Sequence, residues 1–154
     1  LDDMTLVFRE ARREDVPVIL AMLADDPVAR SREATDGPED AHWAAFEAIQ
    51  ADPRNELIVA ELSAAVVGTM QLTFIPGLSR RGGERLQIEA VRVSPAMRGR
   101  GVGRQMISWA IERARARGCR LVQLTSDKVR LEAHRFYGSL GFTASHEGFK
   151  LILS

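Results

Sequence analysis

The sequence predicts a three-layer α/β (α+β) domain, with a mixed central sheet of six or seven strands flanked by about four helices. Three observations carry that reading. Apolar residues alternate with period two through the middle of the chain and recur at helical spacing on either side of it. One strand-like run switches its apolar phase halfway along. A glycine-alternating stretch, RGRGVGR at residues 98–104, then separates that run from an amphipathic helix. At 154 residues the chain is long enough for one domain with a proper core and too short for two of ordinary size, so 1–154 reads as a single unit.

The elements follow in order. TLVFREA (5–11) reads as a first strand. A helix over 13–26 has Asp15 as its cap, Pro17 early, and a stripe of Val16, Ile19, Leu20 and Leu23. Pro27, Gly37 and Pro38 mark residues 27–38 as a loop. A second helix over 39–50 aligns His42, Trp43, Phe46 and Ile49 and stops at Asp52-Pro53. Core packing is the expected role of Trp43 and Phe46. ELIVAEL (56–62) and AVVGTMQLTFI (65–75) form an antiparallel hairpin about a two-residue link. In the strand ERLQIEAVRVSP (84–95), Leu86, Ile88 and Ala90 share one face, whereas Val91 and Val93 fall in the opposite phase. That slip predicts a β-bulge within 86–93, which would bring Glu89 and Arg92 onto one less apolar face. From Val102 the stripe Val102, Met106, Ile107, Ala110, Ile111 and Ala114 reads as a helix closed by Gly118. A strand over 120–126, a helix over 131–140 with Ala133, Phe136, Tyr137 and Leu140 on one face, and one or two strands over 142–153 complete the chain.

Composition narrows the function classes. The 45% apolar and 27% charged residues belong to a folded chain, and no stretch approaches the roughly 18 apolar residues of a membrane span. The acidic opening LDDMTLVFRE has no leader core, and Leu1-Asp2-Asp3 ahead of Met4 reads as an extraneous or upstream start. A single cysteine, Cys119, excludes an internal disulfide, suits the reducing cytoplasm, and reads as a buried inert thiol. The formal net charge of zero argues against a nucleic-acid binder. Its distribution is uneven: residues 1–79 carry 6 basic and 15 acidic side chains, and 80–154 carry 15 and 6. The basic half invites an anionic ligand.

A strand, a glycine-alternating turn and a helix start together make an anion site. Glycines let backbone N–H groups converge, and the helix N-terminus adds positive potential. RGRGVGR lacks the Gly-Lys-Ser/Thr of a Walker loop and the later strand with an acidic residue of a dinucleotide fold. It also occurs once, between ordered elements, unlike a disordered Arg-Gly tract. Gly99, Gly101 and Gly103 would permit backbone approach, Arg98 and Arg104 would supply charge, and Arg100 would be a solvated side chain.

VRVSPAMRGRGVGRQMISWAIERARARG resembles the acetyl-coenzyme A motif of the GNAT family of N-acetyltransferases, Gln/Arg-x-x-Gly-x-Gly/Ala, here Arg98, Gly101 and Gly103. AHRFYGSLGF (133–142) resembles the family's second motif, and the element order agrees over the whole chain. Arg130 stands where many members carry an Asn that aids cofactor contacts. The resemblance implies direct acetyl transfer from acetyl-CoA to an amine without an acyl-enzyme. It places the donor on Val91, Val93 and residues 98–104 (Arg98, Gly99, Arg100, Gly101, Val102, Gly103 and Arg104). An alkyl amine with pKa near about 10.4 needs a base. Glu89 is the first candidate; its alternative role is as an ion-pair partner of Arg92 or Lys128. The freed N–H of Val91 would hold the oxyanion. Tyr137 matches the family's proton donor to the leaving thiolate; alternatively it only packs beside Phe136 and hydrogen-bonds the thioester sulfur. His134 and His146 are second candidates for the base, and no compact ligand spacing points to a metal.

The expected function is therefore N-acetylation of a small amine, cationic by the argument of the acidic first half. The AHRFY and SHEGF pieces are similar to those of small-amine acetyltransferases, aminoalkylphosphonate ones among them. The alternatives are a protein or peptide N-acetyltransferase and a non-catalytic coenzyme A-binding sensor module. Members often form homodimers, and Trp109, outside the apolar stripe of its helix, is expected to be exposed and to point to an interface.

Overall fold

The computed structural model describes residues 5–28, 30–33 and 35–154. Five strands, β1 (Val7–Glu10), β2 (Asn55–Leu62), β3 (Ala65–Ile75), β4 (Arg85–Val93) and β5 (Leu121–Leu124), lie side by side in that order. The first four are antiparallel. Beside β4, the Arg120 N–H donates to the Glu84 carbonyl (2.8 Å) and the Gln123 amide to Gln87 (2.6 Å). The two numberings rise together, so β5 runs parallel to β4 and the sheet is mixed. Among the described residues the expected six or seven strands are thus five. Residues 142–153, read from their alternation as strands, have no regular secondary structure and no ladder partner among the described residues, and residues 143–154 are exposed throughout. Alternation selects a strand only where a neighbour supplies the hydrogen bonds.

Six helical segments accompany the sheet: α1 (Val16–Ala24), α2 (Arg30–Glu33), α3 (Asp40–Ala51), α4 (Ser79–Gly82), α5 (Val102–Arg117) and α6 (Leu131–Ser139). Four of them are nine residues or longer, and α2 is a single turn inside the segment expected to be loop. α4 is also one turn, with Arg80 and Arg81 left-handed (φ 54° and 59°). Contacts divide the chain into two compact units, one ending at Gln123 and one spanning Leu124–Ser154.

In the larger unit the middle strands supply the core. Ile58, Met70, Leu72, Leu86 and Ile88 are buried to within 2% exposure, because these alternate positions share one face of three adjacent strands. α5 buries Val102, Met106, Ile107, Ala110 and Ala114, the predicted stripe without Ile111. Its Met106 rests on Gly68 of β3, where a Cβ would come 2.6 Å from the sulfur. The helix ends at Gly118 (φ 83°), whose N–H reaches the carbonyls of Ala114 and Arg115. Arg113 pairs with the buried Glu56 and ties α5 to β2. Trp109 is not the exposed residue expected: it is half-buried, stacked on Phe8 at 5.1 Å. Its position off the stripe faces β1, which helix periodicity alone does not disclose.

Another cluster joins Ala11, Val16, Ile19, Phe46 and Val59, with Trp43 packed against it and the Arg13 guanidinium 4.1 Å over its ring. Trp43 and Phe46 are core residues, as expected. Asp15 does not cap α1 with its side chain. It accepts the Arg12 N–H (2.7 Å) and a forked pair from Arg9 (2.6 and 3.1 Å), and Arg9 also reaches Glu61 (2.9 Å). The Arg9 fork holds the Asp15 carboxyl below the usual carboxylate range, with the Arg12 N–H adding to it against the cost of burial.

Replacing Gly68 by Ala should lower unfolding stability by about 1–3 kcal/mol, because Met106, itself 1% exposed, must repack; an unchanged urea midpoint would refute that packing. Asp15 binds its proton less readily folded than unfolded. Its stabilisation is complete above the unfolded value of about 3.9 and is lost as pH falls through the depressed folded value. In acid titrations followed by thermal melting, Asp15→Asn should flatten part of the fall below about pH 4.

Candidate active site

β3 and β4 pair Gln71 with Glu89 and Thr69 with Arg92, so Met70 alone stands against both Ala90 and Val91. That is a bulge at the predicted place, and Ala90 absorbs it in the left-handed region (φ 52°). The phase changes accordingly. Leu86 and Ile88 are buried, while Ala90, expected to join them, is exposed, as is Glu89. Arg92 is turned inward at 14% side-chain exposure and ion-paired with Asp26 (3.2 Å). The bulge thus does not set Glu89 and Arg92 side by side as an ion pair. Among the described residues the Glu89 carboxylate has no hydrogen bond or ion pair, and Lys128 pairs with Glu147 (2.9 Å). One of the two bulged residues is also left without a ladder partner for its N–H.

Beyond Val93 the chain leaves the sheet. The Ser94 N–H donates to the Val67 carbonyl (2.8 Å), Pro95–Met97 makes one tight turn, and Gly99 and Gly101 follow at φ 76° and 85°. A Cβ at either glycine would meet nothing within 4 Å, so the backbone there borders open space. Val102, 1% exposed, pins the start of α5 to the core. The Gln105 N–H donates to the Gly101 carbonyl (3.1 Å), so the first turn of α5 begins at the glycine loop and its N–H groups point toward it. Gly103 lies inside the helix without a left-handed φ; only Gly99 and Gly101 require that conformation. Arginines surround the loop. Arg98 donates to the Asp25 carboxylate (3.0 Å) and carbonyl (3.3 Å), and Arg100 lies 3.6 Å from the Met97 sulfur. Convergent N–H groups, a helix N-terminus and cationic side chains make a cradle for a diphosphate-sized anion.

Sequence reasoning missed Asp25 and Asp26. Both directly follow α1, an unfavourable place for negative charge beside a helix C-terminus. Two adjacent aspartates there need cations from elsewhere, which is the signal that could have found them. Arg92 and Arg98, on either side of the bulge-to-loop segment, supply those cations and hold the end of α1 against it.

Tyr137 belongs to the second unit. Its ring stands edge-on to Phe136 (5.2 Å) and Phe142 (5.9 Å), and Gly141 (φ 96°) turns the chain between them. His134 bonds through Nε2 to the Asp127 carbonyl (2.8 Å), and His146 through Nδ1 to Ser145 (2.7 Å). Cys119 is half-buried, and burial followed by its contact with Glu84 pushes its thiol up, away from nucleophilic use. Among the described residues no three of His, Cys, Asp and Glu assemble as a metal cage.

The sequence profile described as the acetyltransferase (GNAT) family matches residues 19–142. A crystal structure described as a transcriptional regulator from Bacillus halodurans C-125 is 47% identical, covers 97% of this chain and 100% of its own, and superposes with a TM-score of 0.93. An aminoalkylphosphonate N-acetyltransferase of Salmonella typhimurium is 40% identical over 67 residues, 44% of this chain and 44% of that enzyme. A glucosamine 6-phosphate N-acetyltransferase of Trypanosoma brucei brucei is 36% identical over 88 residues, 57% of this chain and 58% of that enzyme. The matches therefore span less than two thirds of either curated relative.

The two aspartates should respond differently to removal. Asp26→Ala leaves Arg92 largely buried without this partner and should cost about 3–5 kcal/mol in denaturant unfolding. Asp25→Ala breaks a pair exposed by 54% and 41% and, with solvent screening, should cost less than about 1 kcal/mol. Equal losses at the two positions would contradict the burial difference.

Proposed function

Because the chain belongs to the acetyltransferase (GNAT) family, we propose that it is an N-acetyltransferase that moves the acetyl group of acetyl-CoA directly to a primary amine of a small molecule. The observation that carries this reading is the left-handed Gly99 and Gly101 loop at the start of α5, placed directly after a bulged strand. Open space beside both glycines fits the diphosphate of coenzyme A, which the N–H groups of residues 99–104 would bind. Arg98, Arg100 and Arg104 supply positive charge around it, and diphosphate binding competes with Asp25 for Arg98. Val91 and Val93 offer the backbone at the end of β4 to the donor's extended arm. The reading takes the chain as one domain working as a cytoplasmic homodimer, for which a lone cysteine suits the reducing compartment.

In the reaction, Glu89 takes the proton of the ammonium group, directly or through water, since an alkyl amine is protonated at neutral pH. That Glu89 has no ion pair among the described residues supports this role. The amine nitrogen bonds to the thioester carbonyl carbon, and the N–H freed at Val91 donates to the oxyanion as charge develops there. When the carbon–sulfur bond breaks, Tyr137 donates its phenolic proton to the departing thiolate, and the acylated nitrogen gives up its second proton through solvent, which reprotonates the phenolate and leaves a neutral amide. The curated relatives are named for amines bearing a phosphonate or a phosphate, which favours a small molecule over a protein as acceptor. The acidic first half of the sequence favours a cationic amine instead, so the acceptor panel must hold both kinds.

A second reading, a coenzyme A-binding module without turnover, has one observation in its favour. The relative at 47% identity is described as a transcriptional regulator. Release of free coenzyme A thiol with a panel of small amines, peptides and proteins separates the two. Turnover is expected with a small amine, and acetyl-CoA binding without release from any acceptor would establish the module instead. Glu89→Gln and Tyr137→Phe should each lower kcat by about 10²-fold or more with acetyl-CoA binding retained. Gly101→Ala should weaken acetyl-CoA binding about tenfold, because its φ of 85° penalises a Cβ.

A further inference from the structure

One face of the sheet changes character across its width. Leu57 and Val59 of β2 pack there with Val16, Ile19 and Phe46 of α1 and α3. Cross-strand partners point alike, and Leu57 pairs with Gln71, Asn55 with Thr73, Thr73 with Gln87, and Gln71 with Glu89. Asn55, Thr73, Gln71, Gln87 and Glu89 therefore share the face that begins as apolar at Leu57. Gln123 of β5 joins them by donating its amide N–H to the Gln87 carbonyl oxygen (2.6 Å). Behind these positions the sheet is apolar and closed, with Leu72, Phe74, Leu86 and Ile88 within 1% of full burial. The amide row is half-buried and Glu89 is exposed. A sheet surface that packs against a helix is apolar; uncharged hydrogen-bonding groups that end at a carboxylate make the wall of a polar cleft.

Part of the row is bonded to itself. The Asn55 carbonyl oxygen accepts from the Thr73 hydroxyl (2.7 Å) and the Gln71 amide (3.3 Å), and the Asn55 amide donates to Asp52 (2.9 Å). Among the described residues the Gln71 carbonyl oxygen, the Gln87 NH2 group and the Gln123 carbonyl oxygen have no hydrogen bond. Whichever of Gln87 and Gln123 donates to the other, one NH2 group and one carbonyl oxygen remain. We infer that Gln71 and Gln87, with Gln123 behind Gln87, bind the acceptor beside Glu89 and select an amine that bears a neutral hydroxyl or carboxamide group. The inference rests on the proposed function, in which Glu89 receives the amine. Gln71 stands directly across from Glu89, about 5 Å away between Cβ atoms. Gln87 lies two residues along β4, roughly 7 Å away. A hydroxyl at that reach donates to a carbonyl oxygen and accepts from the NH2 group, so it uses both kinds of partner. A phosphate or carboxylate only accepts, and it meets two carbonyl oxygens and the Glu89 carboxylate. Arg85, the cation of that row, stands four residues from Glu89, with Nη1 3.4 Å from where Gly77 would carry a Cβ. Arg92 is turned inward to Asp26. A second ammonium finds only Glu89, which the reacting amine already occupies.

Release of coenzyme A thiol with a matched series of amines reads the selection: 3-aminopropan-1-ol, propylamine, 3-aminopropyl phosphate and 1,3-diaminopropane. The amino alcohol should have a kcat/KM about tenfold above that of propylamine, and above those of the other two. Gln71→Leu and Gln87→Leu should each bring the ratio of amino alcohol to propylamine close to one, through KM rather than kcat. Damage to the fold would lower both amines together and keep the ratio, so a ratio that survives both substitutions overturns the proposal. Gln123→Lys, which adds a cation to the row, should move the preference toward 3-aminopropyl phosphate. A wild type that prefers the phosphate, the diamine or propylamine overturns the selection while leaving acetyl transfer in place. No thiol release from any of the four, with acetyl-CoA bound, overturns acetyl transfer to small amines and the selection with it.

Discussion

Met70 faces two residues of β4 where a regular ladder would give it one, and much of the molecule's chemistry depends on that mismatch. Before it, Leu86 and Ile88 point into the core. After it the phase is reversed, and the backbone of Ala90 is forced left-handed without a glycine to relieve it. Strain of this kind costs about 1–3 kcal/mol and persists only where the surroundings enforce it. Here the surroundings are two fixed registers, Gln71 with Glu89 and Thr69 with Arg92, on either side of the bulge. Its products are an exposed carboxylate at Glu89, a backbone N–H released from the ladder, and an arginine turned inward.

The inward arginine links the bulge to the loop that follows. Arg92 holds Asp26 and Arg98 holds Asp25, so the end of α1 is fastened on both sides of the segment leading into the glycine turn. The two pairs differ in kind. The first is nearly buried, where a missing partner is expensive, and the second is half in water, where an anion can displace the carboxylate at little cost. A rigid support beside an exchangeable contact suits a loop that binds and releases an anionic ligand. Val102 fixes the loop from below, and the bond from Gly118 to the carbonyls of α5 fixes the far end of the helix.

The Leu124–Ser154 unit obeys a different constraint. It has aromatic packing of its own, Tyr137 between Phe136 and Phe142, yet too few residues to shield its apolar surface. In the sheet, by contrast, Ile58, Met70, Leu72 and Leu86 of the middle strands are buried to within 2% exposure.

The bulge, the glycine turn and the helix stripe were legible in the sequence because each is a local rule: a phase slip, a need for positive φ, a 3.6-residue repeat. The roles of Trp43 and Phe46 as core residues were legible for the same reason, since burial follows from their apolar neighbours, whereas Cys119, expected to be buried, is only half-buried. Contacts between distant segments were not legible. Asp15 as the clamp of Arg9, Trp109 stacked on Phe8, and Asp25 and Asp26 as partners of Arg98 and Arg92 each join residues that no local pattern relates. The tail from 142 to 153 marks the boundary between the two. Its alternation is a true strand signal, but whether a strand forms is decided by the edge available to pair with it, which belongs to the tertiary and quaternary structure rather than to the segment.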